Sequence, residues 1–324
     1  MKFTKNVFAG LSISILTALM SLQAHAGPEE DWLTGVAAYK AEDYSTAMDY
    51  FKPLAEQGLA DAQYNIGIMY AGGKGVAKSD EQAFYWFSKA AAGDNVDAQV
   101  NLGKLYLYGR GTPKSVSMAV KLFTTATEQG DVDAMLALGV MYANGEDVEP
   151  SYIKAAPWFH MAAEKGNLQA QSMLGWMYDT GNGVTKSPSE AAKWIHKAAE
   201  QGDVASQHNL GHIYEKGKGV PKSNERAAKW HGKAAEQGNA RSQTNLGHMY
   251  ETGRGVTQSY EQAVKWYRKA AEQGNSKAQF NFGVLYYYGN GVPKSKDIAI
   301  LWFKKSAAQG DAPAKAVLKQ LGVQ

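Results

Sequence analysis

The chain has 324 residues, 34 of them basic and 31 acidic, a formal net charge of +3, and no cysteine. The length suffices for a large core, and the absence of cysteine excludes disulfides, a thiolate zinc site and a lipidated N-terminal cysteine. A balance so close to neutral, with no long run of like charge, excludes long-range electrostatic capture of nucleic acid or anionic lipid.

Residues 1–26 have the pattern of a signal peptide. Lys2 and Lys5 form its basic start, residues 7–22 are mostly apolar, and Ala24-His25-Ala26 is an A-x-A cleavage site. Cleavage before Gly27 removes two lysines and no acid, leaving 32 basic against 31 acidic residues. The alternative, an uncleaved anchor, needs a longer apolar run without the serines and threonines found here. The expected location is the bacterial periplasm or the outside. No later segment is long and apolar enough to insert in a membrane.

Residues 27–61 form a short helical pair with a compressed turn at Ala41-Glu42-Asp43. A 36-residue unit then recurs seven times over 62–313 without a register slip. Gly67, Gly103, Gly139, Gly175, Gly211, Gly247 and Gly283 make one unbroken column. The columns of Tyr214, Ser223 and Ala227 are equally unbroken, and Trp230 heads a column in which Leu122 is the one exception. Such a period means stacked two-element bricks, each too small to bury its own apolar face.

One brick shows the logic. Leu210, Gly211 and Tyr214 share a helical face, and Gly217-Lys218-Gly219 ends the helix. Ser223 caps a second helix that buries Ala227, Trp230, Ala234 and Ala235 and stops at Gly238. Ser79/Gln82, Ser187/Glu190 and Ser259/Gln262 spell capping boxes. The third brick is irregular: Asp147 stands where the others have Gly, and Pro157 falls inside its second helix. That predicts a bend dividing 27–133 from 170–324. Residues 314–324 supply a final capping helix. The fold class is all-α, a solenoid of helix–turn–helix repeats.

The pattern A-x-x-x-L-G-x-x-Y-x-x-G-x-G-V…A-x-x-W-x-x-x-A-A-x-x-G resembles the Sel-1-like repeat, a relative of the tetratricopeptide repeat with a longer turn. The resemblance covers 62–313 and implies a right-handed α-α superhelix. By the same likeness, 27–61 resembles a plain tetratricopeptide unit serving as N-terminal cap. The resemblance further implies a scaffold for protein–protein interaction, with the variable third, seventh and tenth positions of each first helix lining a concave groove.

Read down the chain, that face has an apolar floor in the first three units, including Tyr64, Val100 and Leu107, with the polar Lys104 set in it. The middle units place Trp176, Asp179, His208, His212, Glu215, Thr244, His248 and Glu251 there. The last unit is aromatic again with Phe280 and Tyr287, and the neighbouring eleventh position adds Tyr108 and Tyr288. Rigid rings flanked by polar groups suit a peptide or protein segment as partner. His208, His212 and His248, with Glu215 and Glu251 following, form a candidate for a divalent metal or a pH-sensitive patch. His160, His196 and His231 lie on second helices and are expected to face outward.

Catalytic motifs are missing: no G-x-S-x-G, no H-E-x-x-H, no phosphate loop. The G-x-G turns are repeat punctuation without the strand that a dinucleotide site requires. No cofactor is expected, and the protein is expected to be a monomer and not an enzyme. The runner-up implied by resemblance is a β-lactamase-like hydrolase, an activity ascribed to cysteine-rich relatives whose paired cysteines this chain lacks.

Overall fold

The structure, a computed structural model, describes residues 27–145 and 149–323. The leader read at 1–26 and residues 146–148 of the irregular turn lie outside the described residues. Contacts group the chain into two compact units, one up to Ala134 and one from Met135 onward. Pro157 belongs to the second.

Among the described residues there are seventeen α-helices and no strand, making an all-α helical-repeat solenoid. The first unit holds α1 (Pro28–Lys40), α2 (Tyr44–Glu56), α3 (Ala60–Gly72), α4 (Asp80–Ala92), α5 (Val96–Tyr108) and α6 (Val116–Glu128). Helix α7 (Val132–Asn144) spans the boundary. The second unit continues with α8 (Tyr152–Glu164), α9 (Leu168–Thr180), α10 (Pro188–Glu200), α11 (Val204–Lys216) and α12 (Asn224–Glu236). It ends with α13 (Ala240–Thr252), α14 (Tyr260–Glu272), α15 (Ser276–Tyr288), α16 (Lys296–Ala308) and α17 (Ala312–Gln320). Among the described residues, no helix is long and apolar enough to cross a membrane.

The columns explain the elements. Ser223 Oγ accepts the Arg226 amide at 3.2 Å, and the serines of the same column cap their helices likewise. The three capping boxes are made only by half. The N–H groups of Ser79, Ser187 and Ser259 are given instead to the carbonyls of Tyr70, Tyr178 and Tyr250. The tyrosine column therefore also closes the turn. Gly219 must be glycine twice over: its φ is +69°, and a Cβ there would collide with the Pro188 carbonyl at the start of α10. The turns at Gly75, Gly111, Gly183, Gly255 and Gly291 are seated on the preceding helix pair in the same way. Pro157 does not interrupt α8, which keeps the same thirteen residues as its neighbours.

Inside each brick the glycine column lies against a ring or branched chain one residue past the tryptophan column. A Cβ on Gly67 would stand 2.6 Å from Phe87, on Gly103 2.7 Å from Phe123, and on Gly247 2.7 Å from Tyr267. The absent side chain is what lets the helices of a pair close on that filler. A full side chain of this class stabilises by about 2–3 kcal/mol when buried.

A second device joins bricks. Buried glutamines sit one residue past the first alanine column. Gln207 donates to the Ala199 carbonyl at 3.1 Å and accepts from Gln237 at 2.8 Å, and Gln171, Gln243 and Gln279 repeat the pattern with Gln201, Gln273 and Gln309. A buried amide so satisfied costs little and fixes register. The corresponding positions of the third brick are Met135 and Lys165, so this rung is missing there.

Candidate functional site

The first helices of the second unit present the polar stretch predicted from sequence. Trp176 on α9 is 41 % exposed, although most large apolar side chains are covered. Its ring rests on Tyr152, with centroids 5.3 Å apart. Two clefts meet at it. One, of about 450 Å³, is lined by Ser172, Trp176, Asp179, His212, Lys216 and Lys218 among others. The other, of about 610 Å³, is more apolar, with Tyr152, Leu168, Met173 and Trp176. Lys218 lies 3.9 Å from Asp179 across the first cleft.

The remaining expected wall residues divide into open and covered. Tyr288 is 64 % exposed and stands edge-on to the half-buried Tyr287. Phe280 is half-buried against Phe303. In the first unit Tyr108 and Lys104 are exposed, while Tyr64 is half-buried against Phe87. Val100, Leu107 and Thr244, expected on the open face, are buried.

The histidines do not assemble as the spacing suggested. His208 and His212 are together, their ring centroids 4.7 Å apart. His248 instead lies 3.6 Å from its own Glu251, which also accepts from the buried Tyr267 hydroxyl at 2.7 Å. The third ring beside His208 and His212 is His231, with centroids at 5.5 and 5.1 Å. The outward orientation expected for His231 is therefore wrong: its side chain is 0 % exposed. The reason is periodicity. His231 follows Trp230, so it falls in the filler column of Phe51, Phe87, Phe123, Phe159, Ile195, Tyr267 and Phe303, directly beneath Gly211. Reading that column across the repeats would have revealed it. His160 and His196 are partly open, edge-on to Trp194 and Trp230.

Glu215 is the hub of this cluster. Its Oε2 lies 3.0 Å from His212 Nδ1 and 3.6 Å from His231 Nε2, and its Oε1 lies 3.4 Å from the Arg254 guanidinium. The hydrogen bond with His212, then the contact with His231, hold its carboxyl well below the usual range, against the opposing effect of burial. Burial, then the neighbouring His212, His231 and Arg241, push the His208 imidazole down to about 4. His208 Nδ1 lies 2.7 Å from Ser242 Oγ. Burial pushes the Glu251 carboxyl up, but bonds from His248 and Tyr267 outweigh it and leave it lowered. Glu215 and Glu251 thus have their charge largely engaged within the fold, whereas Asp179 and Lys104 face out.

The Sel1 repeat family model matches eight consecutive segments: 33–59, 60–95, 96–131, 132–167, 168–203, 204–239, 240–275 and 276–311. The chain belongs to the Sel1 repeat family. The first matched segment lies in the pair read from sequence as a tetratricopeptide-like cap. A protective antigen of uropathogenic Escherichia coli strains, displaying an SLR fold, is 35 % identical with a TM-score of 0.85. The match takes in 95 % of this chain and 66 % of that one, so this chain spans just under two thirds of the antigen's length. A Sel1 repeat protein from Oxalobacter formigenes is 30 % identical with a TM-score of 0.67, over 99 % of this chain and 97 % of the other. No curated protein matches significantly.

Proposed function

We propose that this Sel1 repeat protein is a non-enzymatic scaffold that holds a segment of another protein against the first helices of its second unit. The observation that carries the reading is Trp176: a large ring left open, held in place by Tyr152, at the junction of two clefts. A rigid aromatic anchor between an apolar cleft and a charged one offers much contact area at low entropic cost. Asp179 and Lys218 on the charged side select polar groups of the segment, and Tyr288 extends the aromatic wall further along. Residues 1–26 support export, with action in the periplasm or outside the cell.

Affinity capture from the source cell's envelope tests the reading, comparing the wild-type chain with a Trp176→Ala, Tyr288→Ala double variant. The expected result is loss of a specific protein from the variant's eluate. Equal retrieval of the same proteins by both overturns the assignment. N-terminal sequencing of the exported protein tests the leader, with Gly27 expected first.

A further inference from the structure

We propose that His212, Glu215 and His231 form a binding site for a transition-metal dication of the zinc type. Their ligand atoms all lie within 4.8 Å of one another. Two of the separations run through Glu215 Oε2: 3.0 Å to His212 Nδ1 and 3.6 Å to His231 Nε2. A tetrahedral zinc with bonds of about 2.0–2.1 Å has ligand–ligand edges of about 3.3–3.4 Å, and the two separations bracket that value. Imidazole nitrogen with carboxylate oxygen is a donor set that such an ion takes in the absence of thiolate.

The independent pointer is His231. It is fully buried, and neither ring nitrogen has a hydrogen-bond partner. A buried polar ring without a partner is costly. The same slot in other bricks holds Phe87, Phe123, Phe159 and Phe303, which fill the space under the glycine without that cost. A metal gives the orphaned Nε2 the bond that the protein does not. The surroundings suit it. Arg254 engages Glu215 Oε1, so Oε2 is the oxygen that would ligate, the ion displacing the proton that now joins it to His212 Nδ1. Asn245 lies 3.2 Å from His212 Nε2. The atom facing Nε2 is the donor Nδ2, so offering Nδ1 to the ion requires the carboxamide to turn until Oδ1 accepts from Nε2–H. Access comes from the His212 side, whose side chain is 46 % exposed and lines the cleft beside Trp176. His208 stands next to the site and supplies no required ligand.

The test uses the full chain, stripped of metal and titrated with zinc chloride by calorimetry, with a parallel melting series. The wild type is expected to take up one equivalent at micromolar or lower zinc, and its melting temperature to rise with zinc. His231→Phe restores the residue found in sibling bricks. It is expected to melt no lower than the metal-free wild type, to bind zinc at least tenfold more weakly, and to lose the zinc-dependent rise. His212→Gln, at an exposed position, is expected to weaken binding likewise without disturbing the fold. No uptake by the wild type, or undiminished uptake by both variants, overturns the site. Partner capture does not enter this readout, so its failure and that of the scaffold reading are separable.

Discussion

Helices α3 and α4 in the first unit and α11 and α12 in the second are the same brick with different fillings. Both have the frame: Gly67 and Gly211, Tyr70 and Tyr214, Ser79 and Ser223, Ala83 and Ala227, Trp86 and Trp230. Beneath the glycine, one holds Phe87, with Tyr64 packed on it. The other holds His231, ringed by His208, His212 and Glu215. The helices have the same length in both. A planar ring of either polarity satisfies the frame's shape, so the frame specifies the fold while the filling is free to specify chemistry.

The sharpest way to break this comparison is to empty the two slots. Phe87→Ala removes a fully apolar ring and is expected to cost about 3–5 kcal/mol in denaturant unfolding. His231→Ala removes a ring that makes no hydrogen bond, so its cost is expected to be clearly smaller. Equal costs would mean the polar filling is as well accommodated as the apolar one.

The next effect is on pH. His208 is held down to about 4, so the folded chain keeps it neutral where the unfolded chain, near 6.5, already binds a proton. The unfolded state therefore gains protons first as pH falls. Stability from this group is full above about pH 6.5 and is lost progressively between 6.5 and 4, by at most about 3 kcal/mol before solvent screening. Glu215 has the opposite ionisation: its contribution is present above its ordinary range near 4.5 and is lost below that. His208→Gln is expected to flatten the melting profile between pH 6.5 and 4 and leave the loss below 4.5. An unchanged profile would refute the assignment.

Helix α8 offers a third contrast, with Pro157 at a position where α12 has Lys229. Proline there forfeits a backbone hydrogen bond, partly offset by a stiffer unfolded chain. Pro157→Ala is expected to raise stability by about 2 kcal/mol, read as a higher melting temperature with unchanged helical circular dichroism. A lower melting temperature would show the proline to be favourable in place. The smallest effect concerns the shared frame: Ser223→Ala and Ser79→Ala should each cost about 1 kcal/mol, alike in both bricks. A large difference between them would mean the frame is not equivalent after all.

The fold was legible because its signals are periodic. The glycine, tyrosine, serine and tryptophan columns fixed helix faces, turns and caps, and α11 and α12 formed where they were read. The exposed positions of Trp176, Tyr108, Tyr288 and Lys104 were legible for the same reason. His231 was misread because a histidine on a second helix was treated as a polar residue and not by its column. The glutamine rungs went unseen because their partners are 30 residues apart, out of phase with the 36-residue repeat. The pairing of His248 with Glu251 instead of His212 depends on side-chain reach, which spacing along the chain does not encode.

The claim beneath all of this is that the constant columns hold the fold and the variable wall holds the partner. The direct measurement is melting and capture on one and the same Trp176→Ala, Tyr288→Ala protein. A melting temperature within a few degrees of wild type is predicted, since Tyr288 is mostly and Trp176 partly in solvent, together with loss of the captured protein. Unimpaired capture at unchanged stability, or collapse of the fold, would contradict it.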